Sequence, residues 1–332
     1  SGFGSTVDHF NGTLAFGTSV GSTTASYSVD SGQSLTVGRN LYVGYDKPAT
    51  FTQTGGTVSS GPTSGLHIAG QPGSDGSSYS LSGGTLLGGV DVGEPVVGTG
   101  AEGTLTQSGG TIDGGVSVHS GGTFHYSGGT LTGGDYSGNF SLSPGGTLQL
   151  DADLTLPDVF YAWSDFTLAH DRTIEVNEGL SIAVDAVFTL AGTLMVDRAE
   201  LGQGASGTLR QTGGQFVVTN DLHVGSPDFI GTGGGIYELQ GGNASAANVY
   251  VDALSGGGGT VTHSGGTLTV SDTLAIGDTS ALGVYTLSDS AVLIADTILL
   301  DADEGTLTMN GGTLQAKTFT GSLANAAGTL AP

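Results

Sequence analysis

The chain has 332 residues, of which 63 are glycine, and 6 basic against 30 acidic side chains give it a formal net charge of −24. That charge argues against nucleic acid and anionic membranes as partners and leaves divalent cations and glycans as candidates. The chain has no cysteine, which excludes disulfides, and no apolar run approaches the ~20 residues of a membrane-spanning helix, so we expect no membrane insertion.

The first regular block, 26–146, alternates apolar and polar residues between Gly-Gly pairs, as in FTQTGGTV at 51–58 and YSLSGGTL at 79–86. Alternation with a period of two is typical of β-strands, and Gly-Gly marks a turn. A third short segment completes each repeat, as in VDVG at 90–93. Glycine suits the corners because it enters positive φ without strain.

The remaining blocks differ in how well they keep this pattern. We interpret 1–25 as partial N-terminal coils, 147–207 as degenerate coils without the Gly-Gly signature, and 208–332 as regular coils again. The composition shows no linker, so we expect a single domain over 1–332. The Gly-Gly pairs recur mostly every 19 to 28 residues, their first glycines being Gly55, Gly83, Gly109, Gly128, Gly213, Gly241, Gly265 and Gly311.

A fixed period of this size indicates a repeat architecture, and three strands per period predict an all-β fold. We expect a single parallel β-helix, or β-solenoid, with three short strands in each of about 13 coils. A helical repeat does not fit the glycine content, because each glycine costs a helix about 1 kcal/mol. A β-sandwich, the stronger rival, should not repeat one motif at this spacing.

The alternation also predicts which side chains form the core. The first inward column contains Phe51, Tyr79, Leu105, Phe124, Leu209, Tyr237, Val261, Tyr285 and Leu307. The second contains Val58, Leu86, Ile112, Leu131, Phe216, Leu268, Val292 and Leu314. The third comes from the segments 41–44, 66–68, 90–93, 222–225 and 274–277. Three columns suggest three walls.

Acidic residues cluster in the degenerate block, beside His170. Paired carboxylates with a cation suit polysaccharide cleavage, so the candidate catalytic residues are Asp158, Asp165, Asp171 and Arg172. Hard carboxylate oxygens also suit calcium, the one cofactor we consider, with candidate ligands Asp158, Asp165, Asp171 and Glu175. A lyase for acidic sugars needs more positive charge in its groove than a chain with only six Lys and Arg residues offers, and fold alone does not imply catalysis, so we expect no enzyme activity.

Three histidines invite a metal-binding interpretation. His67 and His223 occupy outward positions in far-apart coils, in the column of Tyr42 and Tyr250, and we interpret them as solvent-facing. His263 shares a half-polar column with glutamines, and we interpret it as a corner residue that bonds a turn backbone. The glutamines of that column are Gln53, Gln107 and Gln211.

Outward T-x-T pairs, as at Thr104 and Thr106, are the pattern of ice-binding solenoids. His125, Arg210 and Glu238 interrupt the array, and threonine also favours exposed strands for its β-propensity. Ice binding is therefore only a remote functional hypothesis.

The SGGTL and LxVG coils and the closing AAGTLAP resemble the β-helical repeats of large bacterial surface proteins, including autotransporter-type passengers and exosortase-sorted extracellular proteins. The resemblance implies an extracellular or cell-surface location and a role in adhesion, matrix formation or display. Our leading hypothesis is a structural or adhesive surface protein, and the alternative is a polysaccharide-binding or polysaccharide-cleaving β-helix. Because neither end shows a capping segment, we also expect head-to-tail self-association into filaments.

Overall fold

The computed structural model describes residues 7–9, 14–16, 25–61, 65–93, 101–133, 139–225, 233–251, 258–278 and 281–331. These residues form short strands and no helix, which confirms the all-β prediction. The chain divides into two compact units, Ser1–Phe160 and Tyr161–Pro332. Each unit is a parallel β-solenoid, and the units together hold about 11 turns, close to the predicted coil count. That one solenoid domain covers 1–332 stays a prediction.

Unit 1 is built from strands of 3 to 11 residues. They are β1 (Val7–His9), β2 (Leu14–Phe16), β3 (Ala25–Val29), β4 (Ser34–Val37), β5 (Leu41–Val43), β6 (Ala49–Gln53), β7 (Thr57–Ser59), β8 (Leu66–Ile68), β9 (Ser77–Leu81), β10 (Thr85–Leu87), β11 (Val90–Val92), β12 (Gly103–Asp113), β13 (Val116–Val118), β14 (Gly122–Thr132), β15 (Phe140–Leu142), β16 (Thr147–Leu150) and β17 (Leu154–Leu156), with the first residue of β18 (Phe160–Ala162), which continues into unit 2.

Unit 2 continues the same pattern. Its strands are β19 (Phe166–Leu168), β20 (Thr173–Ile182), β21 (Ala186–Leu190), β22 (Thr193–Leu201), β23 (Gly207–Gln211), β24 (Gln215–Val218), β25 (Asp221–Val224), β26 (Gly235–Leu239), β27 (Asn243–Ala246), β28 (Asn248–Val251), β29 (Gly259–His263), β30 (Thr267–Ile276), β31 (Gly283–Leu287), β32 (Val292–Leu300), β33 (Gly305–Met309), β34 (Thr313–Thr320), β35 (Ala324–Asn325) and β36 (Thr329–Ala331).

Each unit stacks equivalent strands of successive coils into parallel walls. In unit 1 the first wall runs β3, β6, β9, β12, β14 and β16, and in unit 2 it runs from β19 through β21, β23, β26, β29, β31 and β33 to β35. The register is direct, so Phe51 pairs with Tyr79 and Tyr237 pairs with Val261. Each side chain therefore lies over its equivalent in the next coil, about 4.8 Å away.

The core follows the predicted columns. All nine residues of the first predicted column are at most 1% exposed. The second column is confirmed except at Val292, because Thr267 pairs with Val292 and Leu268 pairs with Leu293. The corner at 288–291 holds one residue more than the Gly-Gly corner at 264–266, which shifts the strand by one. Leu293 is therefore the buried residue.

The second glycine of a Gly-Gly pair is fixed by the neighbouring coil. Gly84 has φ +81°, and a Cβ there would lie 2.4 Å from backbone atoms of Gly55 and Gly56. Gly242 repeats this in unit 2, with φ +81° and 2.5 Å to the backbone of Gly213. The second glycine of the pair is therefore required for two reasons: its backbone takes a left-handed conformation, and the corner of the neighbouring coil leaves no room for a Cβ.

Candidate functional site

The acidic residues singled out in the sequence occupy different places. Asp158 belongs to unit 1, where it lies against Gly133, and the others belong to unit 2. Within unit 2, Asp165 precedes β19, whereas Asp171 follows it in the turn before β20. Asp171 is paired with Arg172 through an Oδ2 to Nη1 distance of 3.0 Å.

Glu175 is exposed on β20, where it pairs in register with Met195. His170 is 86% exposed at its side chain and lies 3.8 Å from Asp171. Among the residues that the structure describes, no group of three or more His, Asp or Glu side chains is arranged to hold a metal ion. Calcium binding by this block stays a hypothesis, and so does the expectation that the chain has no enzyme activity.

One member of the block, Asp165, lines a groove on the outer face of the first wall of unit 2. The groove has a volume of about 320 Å³ and crosses β19, β21 and β23. Its lining residues are Asp165, Phe166, Thr167, Val187, Thr189 and Arg210. Strand register explains the grouping, because Thr167 pairs with Thr189 and Thr189 pairs with Arg210.

Two charged side chains border the groove. The Asp165 carboxylate accepts a hydrogen bond from the Val187 backbone N–H at 2.8 Å. Arg210 donates its Nε–H to Glu238 at 2.6 Å, and this hydrogen bond with the Glu238 charge raises the pKa of Arg210. Both charges are thus held in place by one partner each. The sequence predicts Asp165 as a site residue but gives Arg210 only as a residue that interrupts the outward threonine array. It does not predict that the two side chains line the same groove.

A second polar cluster lies on the outer face of the third wall of unit 1. His67 stacks on Tyr42, with ring centroids 4.8 Å apart, and its Nδ1 lies 3.1 Å from Asp91. His119 reaches the other oxygen of Asp91, also at 3.1 Å. Burial raises the pKa of the Asp91 carboxyl, but the hydrogen bonds and charges of His119 and His67 outweigh it and hold that pKa well below its usual range.

The predicted outward positions of His67 and His223 are confirmed. His223 stacks on Tyr250 at 4.8 Å, as His67 does on Tyr42. The sequence could have placed Asp91 beside His67, since LHI and VDVG belong to one column. It could not have placed His119, which lies just beyond the end of β13.

The buried polar corners carry out the role predicted for them. In its own coil, each of these polar residues lies at the end of the first-wall segment, directly before the turn. His263 is completely buried, with Nε2 3.2 Å from the Gly266 carbonyl and Nδ1 2.9 Å from the Tyr285 hydroxyl. The carbonyl can only accept, so Nε2 carries the proton and Nδ1 accepts from the phenol. Burial lowers the pKa of His263 from 6.5 to about 4.

The glutamines at equivalent corners bond the turn in the same way. Gln53 Nε2 donates to the carbonyls of Gly56 and Thr85, at 3.4 and 3.0 Å. Its Oε1 accepts a hydrogen bond from the hydroxyl of Tyr79, one coil further on, at 2.5 Å. Burial raises the pKa of Tyr79 well above its usual value, so the phenol remains a donor. Sequence reasoning does not identify the tyrosine partner.

The comparisons with known proteins add no relative: the chain matches no family model, no curated protein and no solved structure. Within the described residues, no helix has the length and apolar character needed to cross a membrane.

Proposed function

We propose that this protein is a structural and adhesive solenoid at a bacterial cell surface. The observation that best supports this role is the repeated outward face of the first wall in unit 1. Two outward columns carry only hydroxyl side chains on four successive coils: Ser26, Thr50, Ser78 and Thr104 in one, and Ser28, Thr52, Ser80 and Thr106 in the other. A contact made on one coil can be repeated on the next, and multivalency multiplies weak contacts into firm attachment.

The charge of the chain agrees with an extracellular role of this kind. A net charge of −24 favours solubility and discourages lateral association. The resemblance of the SGGTL and LxVG coils to bacterial surface repeats supports the same location.

Antibodies against the purified chain test this proposal on the cells that produce it. We expect labelling of intact cells, visible by electron microscopy, and release of the antigen by external protease. Labelling that appears only after permeabilisation would contradict a surface role. A cytoplasmic protein of known location, labelled in parallel, controls for cell integrity.

We also propose that copies of the chain associate head to tail. Phe319 of β34 stacks on the column of Ile298, and Leu330 of β36, which lies one coil further on, stacks on that of Leu314, but the two side chains are 36% and 57% exposed. In the proposed association, a coil of a second copy covers both side chains.

Sedimentation velocity at several protein concentrations tests association directly. We expect oligomers or thin fibres for the native chain, and a shift towards monomer for Leu330→Asp, which places a charge in the contact. Thr329→Asp, one position away on β36, should associate like the native chain. A native chain that stays monomeric over the whole concentration range would contradict this assembly.

A further inference from the structure

We propose that the groove bordered by Asp165 and Arg210 is a binding site for a neutral glycan. The two charged side chains at the groove have hydrogen-bonding capacity that the described residues do not use. Asp165 spends one oxygen on the Val187 backbone, and Arg210 spends its Nε–H on Glu238. The terminal amino groups of Arg210 and the second oxygen of Asp165 make no hydrogen bond to the described residues.

Two hydroxyl groups complete the set. Thr167 and Thr189 face outward on adjacent coils between the charged residues, and their hydroxyls also lack partners in the described parts of the chain. The groove thus offers paired donors from a guanidinium, an acceptor from a carboxylate and two hydroxyls that both donate and accept. Adjacent hydroxyls of a sugar need this mixture, because each must both donate and accept.

Charge selects a neutral ligand. Asp165 and the net charge of −24 oppose an anionic sugar, while Arg210 opposes a cation. A neutral polyol satisfies both side chains at once. The volume of about 320 Å³ is at the lower end for ligand sites, which suits one or two sugar rings.

The repeat of the wall suits a chain-like ligand. Thr167, Thr189 and Arg210 succeed each other on three coils, so the row spans about 10 Å at ~4.8 Å per step. A disaccharide has comparable length. Asp165 is the only carboxylate among the lining residues, and glycoside hydrolysis ordinarily uses two, so the groove is suited to binding without cleavage.

This inference rests on the proposed adhesive role and names its target. The test uses the full chain against panels of neutral gluco-, manno- and galacto-oligosaccharides and of uronate oligosaccharides, followed by calorimetry on the best ligand. We expect saturable binding of a neutral oligosaccharide and no release of reducing ends. Absence of binding to every neutral oligosaccharide, preference for uronates, or cleavage would each overturn the inference.

Variants locate the site. Asp165→Asn keeps an oxygen for the Val187 N–H but changes the other acceptor into a donor, and Thr189→Val removes only a hydroxyl. Both should weaken binding at least tenfold. Thr286→Val, in the same outward column but outside the groove, should bind like the native chain. Equal affinity of all three variants would move binding elsewhere and overturn the assignment.

The outcome separates this site from the broader proposal. Surface labelling of intact cells without glycan binding would remove the site and leave the surface role. Glycan binding together with labelling only after permeabilisation would keep the site and contradict the surface role.

Discussion

Two corners of unit 1 differ in whether the following coil supplies a hydroxyl group to a buried glutamine. At Gln53 the amide oxygen accepts a hydrogen bond from Tyr79 of the following coil. At Gln107 the amide nitrogen bonds the turn carbonyls of Gly110 and Thr130 in the same way, but the following coil supplies Phe124. Gln107 Oε1 is accordingly the one buried side-chain polar atom without a hydrogen-bond partner among the described residues.

Other corners show that this pairing is a rule of the stack. Gln211 is bonded by Tyr237 at 2.6 Å, and His263 is bonded by Tyr285. Where the corner is apolar, as at Leu81, the next coil supplies an apolar residue, Leu105. At these corners a polar side chain faces a tyrosine hydroxyl of the next coil, and an apolar side chain faces an apolar one. The corner at Gln107 departs from this pattern, so it can be used to measure how much the match contributes to the free energy of unfolding.

The largest effect should come from the corner glycines, on which every Gly-Gly corner depends. Gly84→Ala forces a Cβ into the backbone of the preceding coil at positive φ, and we expect a loss of about 3 to 5 kcal/mol in the free energy of unfolding. Gly32→Ala is the matched control, because Gly32 also has φ +81° but a Cβ added there would meet no atom within 4 Å.

For Gly32→Ala only the conformational cost remains, about 1 to 2 kcal/mol. Urea denaturation measures both values. Equal losses for the two variants would show that stacking of corner on corner does not constrain the glycine.

His263 makes one corner sensitive to pH. Its pKa is about 4 in the folded protein against 6.5 for the unfolded chain, so the unfolded chain binds the proton more readily. Stability is therefore full above pH of about 6.5 and falls as the pH is lowered towards about 4, by about 3 kcal/mol.

Glutamine is the natural control at this corner, since Gln53 and Gln211 already bond both a turn and a tyrosine. His263→Gln should fold and should lose this part of the pH dependence. The measurement is the difference in unfolding free energy between the two proteins from pH of about 7 to about 4.5, which spans most of the interval between the two pKa values. A constant difference across that range would contradict a buried neutral imidazole.

Removing one phenolic hydroxyl should have a smaller effect. Tyr79→Phe recreates at Gln53 the situation found at Gln107, and we expect a loss of about 1 to 3 kcal/mol because a buried acceptor is left unpaired. Tyr27→Phe, in the same column but only half-buried, provides a comparison. Thermal and urea unfolding measure both. A loss at Tyr79 below about 0.5 kcal/mol would mean that the pairing adds little.

Periodicity was enough to predict the fold and most of the core. Alternation defines inward and outward residues locally, and Gly-Gly marks where each strand ends, so register could be read coil by coil. It failed at Val292 because the corner at 288–291 has no glycine pair, and Asp289, with φ +52°, takes the left-handed position instead. A corner without the Gly-Gly pair can contain a different number of residues, and the register of the strand that follows then changes.

The groove and the corner pairs could be predicted less well. Arg210 and Asp165 lie 45 positions apart in the chain, and only the coil-to-coil register, through Val187 and Thr189, brings them to one surface. The sequence pattern assigns both Tyr79 and Gln53 to columns, but to two different ones. Their contact depends on the direction of each side chain between coils, which alternation does not specify.

The most direct test of matched polarity between coils is a double-mutant cycle at the exceptional corner. Phe124→Tyr places a hydroxyl where Tyr79 has one in its own coil, and we expect it to stabilise the native chain by about 1 kcal/mol by satisfying Gln107 Oε1. In a Gln107→Leu background the same substitution buries a hydroxyl without that partner and should destabilise. Opposite signs in the two backgrounds, measured by urea denaturation, are what matched polarity predicts. The same sign in both would contradict it.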